Sequence, residues 1–524
     1  MHKINLPFIS LKIGPQGWAG DFLVALSAAN LALLSVWAEF FYLPARSAYY
    51  LPVLALHDYG AALLLFVSLS ILFLLVLRWH RCYGLWGWLT GVMTLFVFML
   101  PLLILIRNSL QFSTILTIGV LMVIPITLTA FFFARQLGNI VYVILFIMFP
   151  FSLLNLFYTA ADSLSTQTAS EARPDPAFGD GVDGPPNSYE ASSDNRIVFI
   201  IFDELDAKRM FSRKEPHYAM PNFAELKNQS WFFKNMESLS VATRVAIPII
   251  TSGHLIKSAV AVDAVTLRLK LRPNMPNSDR QLFWRAEDTF LKTAQQNNMS
   301  MAIIAYYHPY CRIFSAYGDC RDHYMNAVMH QATDNFQQSL LMQLKTFVPI
   351  YRRLGALENH YSAFQMTLAA VSDPQKDFIY AHFMPPHLPN LYDARSQSMT
   401  VFNFSLEKYF DNLVLVDRML GQIVKAMKKE NLWEKTTLLV TSDHGWRESQ
   451  LYDGQPYSPS VPLFIKLANQ QDGVEYDGRW TSADIKPLMD FLIDSSSSPG
   501  HEQLADYLRK HPSKVPERLR KQHH

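Results

Sequence analysis

The chain has 524 residues, with 46 Lys and Arg against 44 Asp and Glu, and half of its residues are hydrophobic. A formal net charge of +2 argues against a nucleic-acid partner, which needs a strongly basic surface. The apolar residues are unevenly spread: long apolar runs fill the first third, and the remaining two thirds read as a soluble domain large enough for a sizeable core.

The apolar third, residues 1–160, is expected to be an all-α membrane bundle of about five transmembrane helices. The runs are Asp21–Leu43, Ala61–Leu77, Leu85–Ile106, Thr114–Phe133 and Ile140–Tyr158. Each approaches the roughly 20 residues that cross a bilayer. Trp79, Tyr83, Trp86 and Trp88 cluster near run ends, as interfacial aromatics do. Lys3, Lys12, Arg78, Arg81 and Arg135 fall on one side in this reading, and Arg46 and Arg107 on the other. The richer side is expected to be cytoplasmic, which puts everything after Tyr158 outside the cytoplasm. The first run starts too late for a cleaved signal peptide and reads as an anchor.

Residues 161–195 are rich in Ser, Pro, Gly, Asp and Ala without helical or strand periodicity, and read as a linker. From Arg196 to about residue 495, strand-like and helix-like stretches alternate, which predicts an α/β domain with a mostly parallel sheet. Strands are expected over Ile197–Phe202, Met301–Tyr306, Asp377–Phe383, Thr437–Thr441 and Pro462–Lys466, and a helix over Leu413–Glu430. Residues 496–524 read as a polar basic tail, with Arg509, Lys510, Lys514, Arg518, Arg520 and Lys521. Cys311 and Cys320 lie nine apart, and an oxidising compartment makes a short-loop disulfide an option there.

The chemistry concentrates at two strand ends. Ile197–Asp203 (IVFIIFD) and Thr437–Gly445 (TLLVTSDHG) are apolar β-branched runs that end in acids. Open α/β sheets hold their ligands at the carboxyl ends of such strands. Asp203, Asp443 and His444 can therefore converge on a divalent metal, for which carboxylates and imidazole are suitable ligands. A third segment, Ser238–Gly253, offers Thr243 ahead of a helical apolar stretch, where backbone N–H groups favour an anion. The same position also suits an ordinary helix cap. A fourth, Tyr380–Pro389 (YAHFMPPHLP), places His382 and His387 around two prolines, able to hold a phosphate or protonate a leaving oxygen.

These segments resemble the alkaline phosphatase and sulfatase superfamily, and within it membrane-anchored enzymes of the lipoteichoic acid synthase-like and phosphoethanolamine transferase-like kind. The resemblance rests on Ser442-Asp443-His444-Gly445, on IVFIIFDEL, and on Met220-Pro221-Asn222-Phe223 with Phe233-Lys234-Asn235. It rests further on TRVAIPIITSG and on His387-Leu388-Pro389. It implies that Asp203, Thr243, Asp443 and His444 bind a zinc or manganese ion. It implies further that Thr243 attacks phosphorus to form a phosphothreonine, and that His382 and His387 contact the phosphate or leaving group. The implied function is transfer of a phosphorylated headgroup, phosphoethanolamine or phosphoglycerol, from a membrane phospholipid donor to an envelope glycan or lipid acceptor at the bacterial inner membrane. An extracytoplasmic phosphate or sulfate ester hydrolase and a non-catalytic envelope protein are the alternatives.

The pattern departs from that group at Asp203, where Glu is usual, at Ala246, where a hydroxyl is common, and at Tyr457-Ser458-Pro459-Ser460, where a late His is common. No Cys-x-Pro-x-Arg signature surrounds Thr243, which argues against a formylglycine mechanism.

Overall fold

The computed structural model describes residues 17–40, 49, 55–82, 141–155, 157, 195–213, 215–263, 265–273, 282–314, 318–323, 334–346, 349–495, 498–513 and 515–516. The chain divides into two compact units. The first comprises residues 1–44, 54–173 and 333–347, and the second comprises residues 45–53, 174–332 and 348–524.

In the first unit, α1 (Trp18–Phe40) packs against α2 (Leu56–Cys82). Arg78 near the end of α2 lies 3.6 Å from Asp21 near the start of α1 and stacks over Trp18, so the two helices run antiparallel. Asn155 on α3 (Val141–Asn155) donates to the Asn30 side-chain oxygen at 3.5 Å. Among the described residues, the stretch Leu56–Trp79 of α2 is long and apolar enough to cross a bilayer, with mean hydropathy 2.8. The expected spans Leu85–Ile106 and Thr114–Phe133 lie outside the described residues.

The second unit is built on an eight-stranded sheet. In chain order its strands and the helices that cover it are β1 (Arg196–Asp203), α4 (Pro221–Lys227), β2 (Trp231–Glu237) and α5 (Thr243–Ser252). A small separate sheet, β3 (Ile256–Ala261), β4 (Leu267–Leu271) and β5 (Leu282–Phe283), precedes α6 (Phe290–Gln296), β6 (Met301–Tyr306) and β7 (Asp319–His323). Helix α7 (Phe336–Thr346) belongs to the first unit. Then come α8 (Pro349–Ser372), β8 (Phe378–Pro386), the hairpin β9 (Asn390–Asp393) and β10 (Ser398–Asn403), and α9 (Tyr409–Lys429). The chain closes with β11 (Thr436–Ser442), β12 (Leu463–Lys466), β13 (Val474–Thr481), α10 (Ile485–Asp494) and α11 (His501–Lys510).

The strand order is β13-β2-β12-β11-β1-β8-β6-β7, with β12 antiparallel to both neighbours and the other pairs parallel. The central strand β1 is buried at every residue. Its Ile197, Phe199 and Ile201 enter one core, and its Val198, Ile200 and Phe202 the other, so both faces are covered. This explains the unbroken apolar run, since a strand sandwiched between helix layers has no solvent face to mark with polar residues. Helices α5, α6 and α10 contribute to the first core, and α4, α8 and α9 to the second.

The stretch expected as a polar tail instead begins with α11, an amphipathic helix. Its Leu504, Tyr507 and Leu508 join the first core, while its basic residues stay outside. Cys311 and Cys320 form a disulfide, with Cα atoms 5.3 Å apart, and Cys320 lies on the edge strand β7.

Two buried histidines away from the strand-end cluster make stability depend on pH. Burial lowers the pKa of His323 and of His360 to about 4 each. Both are therefore neutral in the folded chain, whereas the unfolded chain takes up protons below about pH 6.5. Their contribution is complete above that value and falls as pH drops toward about 4, by up to roughly 3 kcal/mol each. The apparent unfolding temperature should fall over this range, and His360→Leu should flatten the fall. An unchanged slope in that variant would remove His360 from the account.

Candidate metal centre and active site

Parallel pairing decides where the acids meet. Phe202 on β1 pairs with Ser442 on β11, so Asp203 and Asp443 leave adjacent strands at the same edge. On the other side, Ile201 pairs with His382 of β8. Strands β1, β11 and β8 bring Asp203, Asp443 and His382 together, with one ligand atom from each lying within 4.8 Å of the others. All three side chains are buried.

Thr243 is the first residue of α5 and is buried. Its hydroxyl makes no cap on its own helix. It lies instead 3.4 Å from Asp203 Oδ2 and 3.3 Å from His444 Nε2. His444 Nε2 is in turn 3.5 Å from Asp203 Oδ1 and 3.4 Å from Asp443 Oδ2. The expected set of Asp203, Thr243, Asp443 and His444 therefore shares one buried cluster, and His382 joins it.

The surrounding hydrogen bonds hold these side chains in place. Asp443 Oδ1 accepts from the His444 and Glu204 backbone N–H groups at 2.8 and 3.2 Å, which turns Oδ2 inward. His444 Nδ1 sits 2.9 Å from Gly445 O, so a proton on Nδ1 leaves the Nε2 lone pair facing the cluster. Ser442 Oγ lies 2.8 Å from both Phe202 O and His444 O and accepts from Leu205 N–H, tying the two strand tips together. His382 Nδ1 meets the Tyr310 hydroxyl at 3.1 Å. Gly445 is required by close packing: a β-carbon there would lie 2.2 Å from Ser458 O.

His387 is set to one side of this cluster. Its backbone N–H donates to Asp203 O at 3.1 Å, and its Nε2 meets the Arg447 guanidinium and lies 4.0 Å from Glu204 Oε1. Arg447 Nε donates to Glu204 Oε1 at 2.5 Å. Glu204 itself adopts the left-handed region (φ 66°), a costly conformation for a residue with a β-carbon. The turn thereby sends Asp203 into the cluster and Glu204 toward Arg447.

Sequence reasoning passed over Arg447, His308 and Tyr49. Arg447 stands three residues beyond His444, a position that marks it as close to the strand tip. His308 Nε2 donates to Thr243 O at 3.3 Å, and its Nδ1 accepts from the Tyr49 hydroxyl at 2.9 Å. Nothing in the local sequence signalled that pairing, because Tyr49 and His308 are 259 residues apart. Where a late His was expected, the Tyr457 hydroxyl accepts from the Gly445 N–H at 3.2 Å.

The electrostatics of the site are those of acids brought together out of water. Burial, then the Asp443 and Glu204 carboxylates, push the pKa of Asp203 well above the ordinary carboxylate range. For Asp443, burial works in the same upward direction, but His444, His382 and the Thr243 hydroxyl outweigh it and leave the pKa lowered. Burial lowers His382 and His387 to about 4 and His308 to about 3, so all three are neutral near pH 7.

The residues present fit a divalent cation. Asp203 Oδ1, Asp443 Oδ2 and His382 Nε2 are buried without a hydrogen-bond partner. Such atoms carry a desolvation cost that a bound cation would offset. Carboxylate, imidazole and hydroxyl donors are those that zinc and manganese accept.

The family is given by one comparison. The family model described as Sulfatase matches residues 195–485. A stretch of 104 residues is 31% identical to arylsulfatase K of Bos taurus, covering 19% of this chain and 19% of that protein. The chain thus matches less than a fifth of that curated relative's length. Among solved structures, the lipoteichoic acid synthase LtaP from Listeria monocytogenes is similar at 13% identity and a TM-score of 0.38. That match covers 61% of this chain and 77% of the other. The phosphonate monoester hydrolase of Agrobacterium radiobacter is similar at 13% identity and a TM-score of 0.37, covering 57% and 73%.

If the cluster holds a cation, exchanging carboxylate for amide should release it while leaving the shape nearly unchanged. Full-length Asp203→Asn and Asp443→Asn proteins should each lose the divalent metal that the parent chain is expected to retain through dialysis, as read by elemental analysis. Stoichiometric metal in both variants would rule out this cluster as the metal centre.

Proposed function

This chain belongs to the sulfatase family, and from that premise we propose that it is a membrane-tethered, metal-dependent phosphotransferase. It moves a phosphorylated headgroup, phosphoethanolamine or phosphoglycerol, from a membrane phospholipid to a hydroxyl on an envelope glycan or lipid. The observation that carries this reading is the Thr243 hydroxyl, within 3.4 Å of Asp203 and 3.3 Å of His444 in a buried cluster with no cysteine at the nucleophile position.

Thr243 is the nucleophile. Its oxygen attacks phosphorus, the bond from phosphorus to the diacylglycerol oxygen breaks, and a phosphothreonine forms. The acceptor hydroxyl then attacks the same phosphorus and regenerates Thr243. A zinc or manganese ion held by Asp203, Asp443, His444 and Thr243, with His382 beside them, would supply Lewis-acid stabilisation of the charge that develops on oxygen. The N-terminal N–H groups of α5 favour the anionic phosphoryl group. Arg447 offers a guanidinium beside His387, suited to non-bridging phosphoryl oxygens. His387, beside Arg447, would exchange a proton with the leaving or entering oxygen. His308 acts through the backbone, holding the Thr243 carbonyl.

The apolar first unit supports a donor that lies in a bilayer, since tethering raises the effective concentration of site and headgroup. The Cys311–Cys320 disulfide supports a catalytic unit on the oxidising side of the inner membrane.

Full-length protein in detergent, supplied with headgroup-labelled phospholipid, should release diacylglycerol faster when an acceptor is present. Release at the same rate without acceptor would assign hydrolysis to the site instead. Thr243→Ala should lower turnover by at least about a thousandfold, because it removes the attacking oxygen. Its unfolding temperature should stay close to that of the parent. Mass spectrometry of the parent chain after brief exposure to donor should find the phosphorylated headgroup on Thr243. Near-parental turnover in Thr243→Ala would remove that residue from the mechanism.

A further inference from the structure

Helix α7 buries two polar residues and exposes two leucines. Its Ser339 and Gln343, four residues apart and so on one face, are 0% and 4% exposed. On the opposite face Leu341 and Leu344 are 52% and 46% exposed, and Phe336 at the helix start is 41% exposed. A helix on the surface of a water-soluble domain buries its apolar residues and exposes its polar ones. Here Ser339 and Gln343 face the protein instead. Gln343 Nε2 donates to Asp58 O of α2 at 3.0 Å and to Ser339 Oγ at 3.3 Å. The Phe336 ring closes over Gly60 of α2, 3.4 Å from where a β-carbon would begin.

The outward face of α7 does not stand alone. The helix packs on α2, whose Leu56, Leu63 and Leu64 are also exposed and which has the length and hydropathy of a membrane span. The outer surface of α7 is graded, with exposed Gln337 and Gln338 in its first turn and exposed Leu341 and Leu344 in its last two. Lys345, half-buried, is its lone charged residue. Eleven residues extend only about 16 Å, far short of the roughly 30 Å of a bilayer core. A helix of this length with internally satisfied backbone and lipid-matched side chains fits within one leaflet, near the headgroups.

We propose that α7 is a lipid-contacting helix. Leu341 and Leu344, with the exposed edge of Phe336, enter the boundary between headgroups and acyl chains of a phospholipid bilayer beside the first turns of α2. The catalytic chain thus returns to the membrane between β7 and α8, far in sequence from the first apolar helices. This rests on the membrane tether in the proposed function, and the consequence is that the phospholipid surface is held at the catalytic chain by a second attachment.

The test uses the full chain carrying Cys82→Ser, which leaves the disulfide pair as its remaining cysteines. An environment-sensitive fluorophore is placed by Leu341→Cys or Leu344→Cys, by Ile71→Cys on α2, or by Lys429→Cys on α9 as a control in water. Each protein is reconstituted in phosphatidylethanolamine and phosphatidylglycerol vesicles with brominated acyl chains. The probes at 341, 344 and 71 should all emit blue-shifted light and lose most of it to bromine. The probe at 429 should be quenched only by aqueous iodide.

Quenching at 71 with iodide-accessible probes at 341 and 344 overturns the proposal while the tether stands. Loss of bromine quenching at all three positions overturns both. Probes at 341 and 344 shielded from bromine and iodide alike overturn it in favour of a protein surface, such as a second copy of this chain. Because a label can disturb a short helix, cross-linking of the parent chain with an acyl-photoactivatable phospholipid is the second measurement. Cross-links within 336–346 support the proposal, and cross-links in α2 without any in that stretch overturn it.

Discussion

Two carboxylates forced together at the ends of neighbouring parallel strands are the constraint that organises the catalytic unit. The register between β1 and β11 leaves Asp203 and Asp443 side by side, out of water, with inward oxygens that no donor reaches. Two like charges about 4 Å apart repel by about 4 kcal/mol at an effective dielectric constant near 20. Burial adds to that cost. Left to themselves, the acids divide the burden unequally: the Asp203 pKa rises, while Asp443, facing His444 and His382, remains ionised. An arrangement this unfavourable persists because the rest of the sheet over-determines it, and because a cation can take the place of the proton.

Much of the surrounding structure maintains that geometry. Ser442 ties the two strand tips, Tyr310 holds the outer nitrogen of His382, and His308 grips the carbonyl of Thr243. Each is a buried polar contact that pays little in stability but fixes a direction, which a site that must place a metal and a substrate needs more than it needs reactive groups. The left-handed Glu204 belongs to the same logic. Consecutive residues of a regular strand point to opposite faces, and the turn at Glu204 instead serves two neighbouring acids at one edge, with one in the cluster and one on Arg447.

How far the sequence revealed all this depended on how locally each feature is encoded. The strands β1, β6, β8, β11 and β12 were legible because central strands covered on both faces are short, apolar and β-branched. The strands β2, β7 and β13 were not, because their charged residues, such as Lys234, Arg321 and Glu475, belong to the exposed side of an outer position in the sheet. The acids at the strand ends announced themselves through position. Arg447 was near enough to be noticed, but its role is defined only by Glu204 and His387, which the fold supplies. The pairing of Tyr49 with His308 is a tertiary fact with no local signature. The tail was misjudged because α11 has basic residues on one face and only a few apolar anchors on the other, so its composition looks solvated although its periodicity is not.

Helix α7 shows the same limit from the opposite side. Its composition, with glutamines and leucines interleaved, reads as an ordinary amphipathic helix, and hydrophobic periodicity alone assigns the leucines to a protein core. Periodicity reports that a helix has two faces, but not which solvent each face meets. That is decided by what packs against it. Asp58 and Gly60 at the start of α2 offer a carbonyl and a space without a side chain, a surface matched to Gln343 and to the ring of Phe336 rather than to leucine. With Ser339 and Gln343 turned to α2, Leu341 and Leu344 are left exposed among the described residues, and the proposed lipid contact would give them an environment as apolar as they are.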